Sequence, residues 1–287
     1  MRLNPSLPGP TKVGLALGIV SLSWAAILIR FTSSPAVTTA AWRMTLSAAV
    51  LLPLLAARRP GLPRRGVGLA SLAGAFLALH FALWFESLRH TTVASSVALV
   101  TTNPIFVGLL SSLLLGERPS RGLWQGILLS AAGGILIGGG DFAVGGEALL
   151  GDALALLGAV AASAYLLVGR RAQGAGPLLP YVSVTYGMAA LILLGGAGGR
   201  GDPLPLPGDW PWIALMALGP QLLGHTSVNW ALRRLPASVV AVAILGEPVG
   251  ATLWAYLVFG EAPGIAQGVG IALVLLGIAR ALREVRL

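Results

Sequence analysis

Polar residues along this chain are sparse and bunched, and they separate ten apolar runs. The runs are Thr11–Ile29, Ser34–Ala57, Val67–Ser87, Thr92–Leu115, Ser120–Gly139, Leu149–Gly169, Leu178–Ala197, Trp210–Leu232, Ala237–Phe259 and Gly264–Ala281. Each is about 19 to 24 residues, the length a helix rising 1.5 Å per residue needs to cross about 30 Å of hydrocarbon. They are continuously apolar, without the alternation of a barrel strand, so they predict helices. Met1–Pro10 is a polar tail, and only the connections Gly140–Ala148 and Gly198–Asp209 are long. The first run is too long for the apolar region of a cleaved signal peptide. Its Gly18, Ser23 and Arg30 also recur in the sixth run as Gly158, Ser163 and Arg170.

The chain writes one stretch twice. Ser87–Ile135 and the segment from Ala231 align without a gap at an offset of 144, which carries Pro104 onto Pro248. The same offset superposes Arg89, Gly116, Glu117, Pro119, Gly126 and Gly133 on Arg233, Gly260, Glu261, Pro263, Gly270 and Gly277. Chance apolar similarity matches Leu with Ile; it does not put Pro, Gly-Glu, Pro and two Gly in register. The chain is read as a duplication, with repeats at 1–140 and 141–287.

Composition and charge settle the environment and the expected orientation. Hydrophobic residues make up 56%, charged residues 10%, and the mean hydropathy is +0.84. A soluble domain carries about 25% charged residues. There is no Cys, hence no disulfide framework and no thiolate metal site. The pI near 11.3 could suggest nucleic acid, but the positions of the cations argue otherwise. With the N-terminus in the cytoplasm, 15 Lys and Arg fall in cytoplasmic connections and three (Arg30, Arg89 and Arg200) outside. Glu86, Asp141, Glu147, Asp152, Asp202, Asp209 and Glu261 lie outside. The positive-inside rule therefore predicts both termini in the cytoplasm, and the basic pI is an orientation signal.

The fold class that follows is an all-α integral membrane protein of ten transmembrane helices in two inverted five-helix repeats. Five is odd, so the second copy enters the membrane upside down. That is the architecture of secondary transporters, with a site near the midplane between the repeats. The stretch NPIFVGLLSSLLLGERPSRGLWQGILLSAAGGILI, its copy EPVGATLWAYLVFGEAPGIAQGVGIALVLLGIA, and Ala41-Trp42-Arg43 on the second run resemble the EamA-type transporters of the drug/metabolite transporter superfamily. The resemblance spans essentially the whole chain. It implies a ten-helix bundle around a central cavity, without ATP-binding machinery, and no GxxxxGK[ST] loop occurs here. Members handle amino acids, sugars, nucleosides and toxic compounds.

Polar residues within the runs are the candidate site. Asn103-Pro104 and Glu247-Pro248 lie about 12 residues from the Gly ends of the fourth and ninth runs, roughly 18 Å in, near the midplane. A mid-helix Pro deprives the carbonyl four residues earlier of its donor and bends the helix, so Pro104 and Pro248 are candidate hinges. An ionised carboxylate in hydrocarbon costs several kcal/mol, so Glu247 is expected to face a cavity. Gln221, His225 and Asn229 form an i, i+4, i+8 stripe on the eighth run. Their counterparts on the third run are Leu77, Phe81 and Phe85, with His80 and Trp84 on an adjoining face. Arg43 sits about 12 Å below one end of the second run and could meet a substrate carboxylate, Glu86 or Glu247. Ser23, Trp24 and Tyr165, with Ser21, Ser163, Tyr181 and Tyr186, complete the set. Each has a plainer reading as a packing, interhelical or interface group.

The function expected is a secondary transporter, in the exporting direction, of small metabolites such as amino acids, working by alternating access. The alternatives are an exporter of multiple drugs or cationic compounds, and a lipid flippase or structural membrane protein. With three His and no acidic pair inside a run, an enzyme is not expected. The partners expected are a small-molecule substrate, the lipid bilayer and, as a candidate coupling ion, the proton. No cofactor, metal or nucleic acid is expected, and the protein is expected to be monomeric. Its expected location is the bacterial cytoplasmic (inner) membrane.

Overall fold

A computed structural model describes residues 9–58, 61–91, 96, 99–138, 146–172, 176–260 and 262–283. Arg2, Arg59, Asp141, Glu261 and Arg286, used above to orient the chain, lie outside them. The described residues are helical and contain no strand. In order the helices are α1 (Gly9–Leu22), α2 (Ala25–Arg30), α3 (Ala36–Arg58), α4 (Arg64–Ser87), α5 (Asn103–Leu114), α6 (Arg121–Gly138), α7 (Gly146–Ala172) and α8 (Leu178–Gly199). There follow α9 (Trp210–Met216), a π-helical segment (Ala217–His225), α10 (Thr226–Leu232), α11 (Ala237–Ile244), α12 (Gly246–Phe259) and α13 (Ile265–Arg283). Six segments among the described residues are long and apolar enough to cross a membrane, from Pro10–Arg30 to Ala237–Phe259. The chain is a multi-pass membrane protein.

Many large aliphatic side chains face outward, and many small residues are buried between helices. Leu113, Leu149 and Ile265 are 79%, 71% and 90% exposed, while Ala40, Ala70, Ala155 and Ala159 are fully buried. Outside a membrane those exposed Leu and Ile would be a liability. Against lipid they cost nothing, and small residues inside let helices approach closely.

Four of the expected continuous helices are interrupted. The first run breaks at Ser23–Trp24 between α1 and α2, and the ninth at Leu245 between α11 and α12. In the fourth run, turn residues Thr101 and Thr102 precede α5, and the eighth passes through the π segment. The prolines correct the expectation of a simple mid-helix bend. Pro104 is the second residue of α5 and Pro248 the third of α12. A first-turn N–H has no intrahelical partner, so Pro is accommodated there and a fresh helix starts.

The duplicated Gly-Glu signature proves to be a helix stop. Gly116 and Gly260 follow α5 and α12 in left-handed conformation, with φ of 70° and 71°. A Cβ would be strained at such an angle.

The most extensive pairings join α6 to α13, α4 to α7, and α3 to α8; α1 packs on the π segment, and α5 meets α7 and α11. The first of these is held by backbone contact. A Cβ on Gly126 would lie 2.8 Å from the Gly277 carbonyl oxygen, and one on Gly133 would lie 2.6 Å from that of Gly270. Between them Ser130 Oγ donates to the Val274 carbonyl at 3.4 Å. As numbers rise along α6 they fall along α13, so the two helices run antiparallel.

Candidate functional site

All four interruptions open on one cavity of about 90 Å³, several times the space a single water needs. It is bordered by Leu22 and Ala25 at the first break, Thr101 and Asn103 at the second, His225 in the π segment, and Leu245 and Glu247 at the last. Interrupted backbone inside a membrane is tolerated where it lines such a space, because free carbonyls and N–H groups can be satisfied there. The walls are otherwise apolar and aromatic, with Phe81 and Trp84 from α4 and Tyr165 and Leu166 from α7.

The structure brings Arg43, His80, Trp84, Asn103, Tyr165, His225, Glu247 and Pro248 to this cavity. Arg43 is fully buried in α3. Its Nε donates to Gln221 Oε1 at 3.1 Å, and its guanidinium lies 4.6 Å from the Phe81 ring centroid. Its Nη1 has no hydrogen-bond partner among the described residues. Glu247 occupies the first turn of α12, is only partly buried, and is absent from every hydrogen bond and ion pair among the described residues. Arg170–Glu117 and Arg200–Glu86 are ion pairs elsewhere in the protein. Arg43 and Glu247 thus border one cavity without pairing.

His80 Nδ1 lies 2.9 Å from the Gly158 carbonyl. A carbonyl only accepts, so Nδ1 carries the proton and Nε2 is left as the ring's acceptor. The His80 ring stacks on Trp84 at 5.9 Å and 9°. Trp84 Nε1 and His225 Nδ1 are buried without partners.

The expected polar stripe divides between two jobs. Gln221 and Asn229 are fully buried behind the wall: Gln221 holds Arg43, and Asn229 Nδ2 donates to Tyr165 OH at 2.5 Å and to the His225 carbonyl at 2.9 Å. His225 reaches the cavity itself. The π segment makes this division possible, because its extra residue per turn alters the helical phase between Gln221 and Asn229. Ser23 and Trp24 are not among the lining residues, although their neighbours Leu22 and Ala25 are. Ser23 Oγ accepts from Trp254 Nε1 at 2.7 Å, and Trp24 stacks on Trp254 at 4.6 Å. Pro104 also stands outside the lining, one residue beyond Asn103. Ser163 Oγ is 3.0 Å from the Asn103 carbonyl, tying α7 to the start of α5.

Sequence reasoning passed over Thr101 as a cavity group and Trp254 as a partner of Ser23 and Trp24. Phe81, expected on an aromatic wall opposite the polar stripe, is the repeat counterpart of His225, and the two rings meet edge to face at 5.5 Å.

At one end of the bundle Arg170 Nε donates to Glu117 Oε1 at 2.7 Å. Its Nη1 donates to the Leu232 carbonyl at 2.7 Å, and the Ala237 N–H donates to Glu117 Oε2 at 3.1 Å. Two side chains thereby join the ends of α5, α7 and α10 to the start of α11.

The EamA-like transporter family matches the chain twice, over residues 12–139 and 149–283. The chain is 25% identical to the uncharacterized transporter YyaM of Bacillus subtilis, covering 87% of this chain and 85% of that protein. It is 28% identical to the pseudopaline exporter CntI of Pseudomonas aeruginosa, covering 80% and 82%. A crystal structure at 23% identity, covering 96% of this chain and 99% of its own, superposes with a TM-score of 0.81 and bears on the fold. A bundle of interrupted apolar helices around a polar-lined cavity, matched twice by one family, has one assignment: the chain belongs to the EamA-like transporter family.

Proposed function

We propose that this protein is a secondary transporter that exports a small metabolite across the bacterial cytoplasmic membrane by alternating access. The observation that carries the reading is the single cavity onto which four interrupted helices open, two of them starting at the duplicated positions Asn103 and Glu247. The architecture underlying it is ten membrane-crossing helices in two inverted repeats, 1–140 and 141–287, with both termini in the cytoplasm. Reciprocal contacts support the inversion. Gly126 meets Gly277 while Gly133 meets Gly270, and each is the other's partner shifted by 144. Ser130 meets its own counterpart Val274, and Phe81 meets its counterpart His225. Such i-to-j and j-to-i pairing is what a two-fold axis generates. The antiparallel run of the equivalent helices α6 and α13 supports an axis lying in the membrane plane.

Residues Arg43, His80, Trp84, Asn103, Tyr165, His225 and Glu247 form the substrate site; Gln221 and Asn229 hold its walls. Pro104 and Pro248 set the hinges. Export, rather than uptake, is supported by the relative that carries the name exporter. Glu247 is the group that would take a proton when the site is empty of substrate, coupling export to the proton gradient. A monomer suffices, because both repeats reside in one chain. A multidrug or cation exporter is the second reading, favoured by an acid among aromatic walls; Arg43 in the same cavity weighs against it. Transport into proteoliposomes of a panel of amino acids, sugars and cationic drugs, with and without a pH gradient, tests the proposal. Saturable uptake of one class supports it. No flux of any class above protein-free vesicles overturns it.

A further inference from the structure

Behind the cavity wall, α7, α8 and α10 meet around Gly169, Tyr181 and Asn229. The Asn229 amide has a defined orientation there. One of its two terminal atoms lies 2.5 Å from Tyr165 OH and 2.9 Å from the His225 carbonyl. A carbonyl only accepts, so that atom is the donor Nδ2, and Oδ1 faces the other way. Oδ1 has no hydrogen-bond partner among the described residues, and neither has Tyr181 OH. Asn229 is fully buried and Tyr181 is 2% exposed. Such buried, unpartnered groups are rare, because each forfeits the hydrogen bonds it would make in water.

The two oxygens face the same place. A Cβ on Gly169 would stand 3.1 Å from Tyr181 Oη and 3.6 Å from Asn229 Oδ1, with Leu232 Cδ1 at 3.3 Å on a third side. Glycine leaves that side of α7 bare, so a small space lies between a hydroxyl that can donate and an amide oxygen that accepts. The space is one helical turn along α7 from Tyr165. It immediately precedes Arg170, whose Nη1 donates to the Leu232 carbonyl. It therefore lies between the wall of the central cavity and the Arg170–Glu117 ion pair.

We infer that this space is an internal binding site for a water molecule that bridges Tyr181 OH and Asn229 Oδ1. Water both accepts and donates, so it takes the Tyr181 hydrogen bond and gives one to Oδ1. It is small enough for room opened by a missing side chain, and two polar partners suffice for a buried water. Neither group is charged, so an ion would find no counter-charge in them. With Oδ1 held by the water, Nδ2 stays directed at Tyr165, which lines the cavity. The site stands whatever solute the cavity takes.

The test is hydroxyl-radical labelling by X-ray pulses, read by mass spectrometry, on the purified full chain in lipid nanodiscs. The pulse makes radicals from water where it stands, so a buried side chain is modified where bound water touches it. Tyr181 is expected to be modified severalfold faster than Tyr186, a comparably buried tyrosine whose OH lies 3.0 Å from Thr226 Oγ1. G169A puts a methyl group into the space and is expected to bring Tyr181 down to the rate of Tyr186, with Tyr186 unchanged. Equal rates for the two tyrosines in the wild type overturn the inference, as does undiminished modification of Tyr181 in folded G169A. The wild-type comparison decides the matter even where G169A fails to fold.

Discussion

Glu247 is the residue at which chemistry and environment conflict most. It has no hydrogen-bond or ion-pair partner among the described residues, and it stands where a helix restarts, at the positive end of the α12 dipole. A carboxylate so placed can be neutralised by a proton or by a cationic group of a substrate, but not by both at once. Under the proposed coupling, substrate leaves as a proton arrives; the repeat counterpart Asn103 cannot titrate, so one carboxyl would serve both conformations. Glu247→Gln retains size and hydrogen bonding while removing the charge. Substrate accumulation driven by a pH gradient is expected to vanish in that variant, while downhill exchange persists in part. Undiminished gradient-driven accumulation would leave Glu247 a structural hydrogen-bonding residue. Most of the polar lining was legible in the sequence, because a polar side chain in an apolar run costs free energy unless something uses it. Phe81 was not legible in that way. In lipid an inward and an outward Phe are equally apolar, so hydropathy gives no sign of facing, and only the duplication pointed to it.

Among the elements, the interruptions hold the functional geometry. Pro248 in the third position of α12 and Pro104 in the second of α5 let new helices begin at the cavity. Replacing Pro by Ala restores an N–H and permits the helix to run through, closing the break. Pro104→Ala and Pro248→Ala are each expected to slow transport while leaving the protein folded in the membrane. Wild-type rates for both would reduce the prolines to packing features. Length and apolarity announced these helices; the breaks within them were half visible. Pro stands at three of them: Pro104, Pro248, and Pro220 within the π segment. The turn at Ser23–Trp24 has no Pro or Gly of its own, and the change of pitch in the π segment is not registered by apolar periodicity. The Arg170–Glu117 pair makes a further prediction. It bolts the ends of α5 and α7 to the α10–α11 connection, so movement that opens this end must break it. Arg170→Gln is expected to raise the labelling of a cysteine placed at Tyr165 by a membrane-impermeant thiol reagent from that side. An unchanged labelling rate would show that the ion pair does not gate access. The pair is partly exposed, 25% and 22% for its side chains, so its removal is expected to cost at most about 1 kcal/mol of stability.

At the scale of the molecule, two independent lines support the proposed inversion. One is charge: Lys and Arg crowd into alternate connections. The other is contact: α6 and α13, copies of one another, lie antiparallel with their signature glycines in reciprocal register. The first concerns which side each loop occupies, and the second only how the repeats face each other, so an error in one does not carry into the other. Both converge on a single pattern of accessibility. The turn after α2 and the start of α9 are clamped by Asp209, whose Oδ2 accepts from the Ser33 and Ser34 N–H groups at 3.0 and 2.7 Å. Counting crossings, that clamp and the Arg170–Glu117 bolt fall on opposite faces. With no native Cys to label in the background, single cysteines at Arg64 and Arg171 are expected to react with an impermeant reagent only from the cytoplasm. Cysteines at Glu147 and Asp202 are expected to react only from outside. Uniform reversal of all four would overturn the orientation and keep the inversion, because turning the whole molecule over preserves the relation between its halves. Labelling that puts Arg64 and Arg171 on different faces would remove the inversion itself. The α6–α13 seam can be checked separately. Gly133→Leu drives a side chain into the Gly270 carbonyl, where even a Cβ stands 2.6 Å away. Overpacking of that kind costs typically about 1–3 kcal/mol, so thermal unfolding in detergent is expected to fall. Gly198→Leu, where a Cβ would meet nothing within 4 Å, is expected to leave the unfolding temperature unchanged. Equal stability of the two variants would mean that the α6–α13 seam does not hold the repeats together.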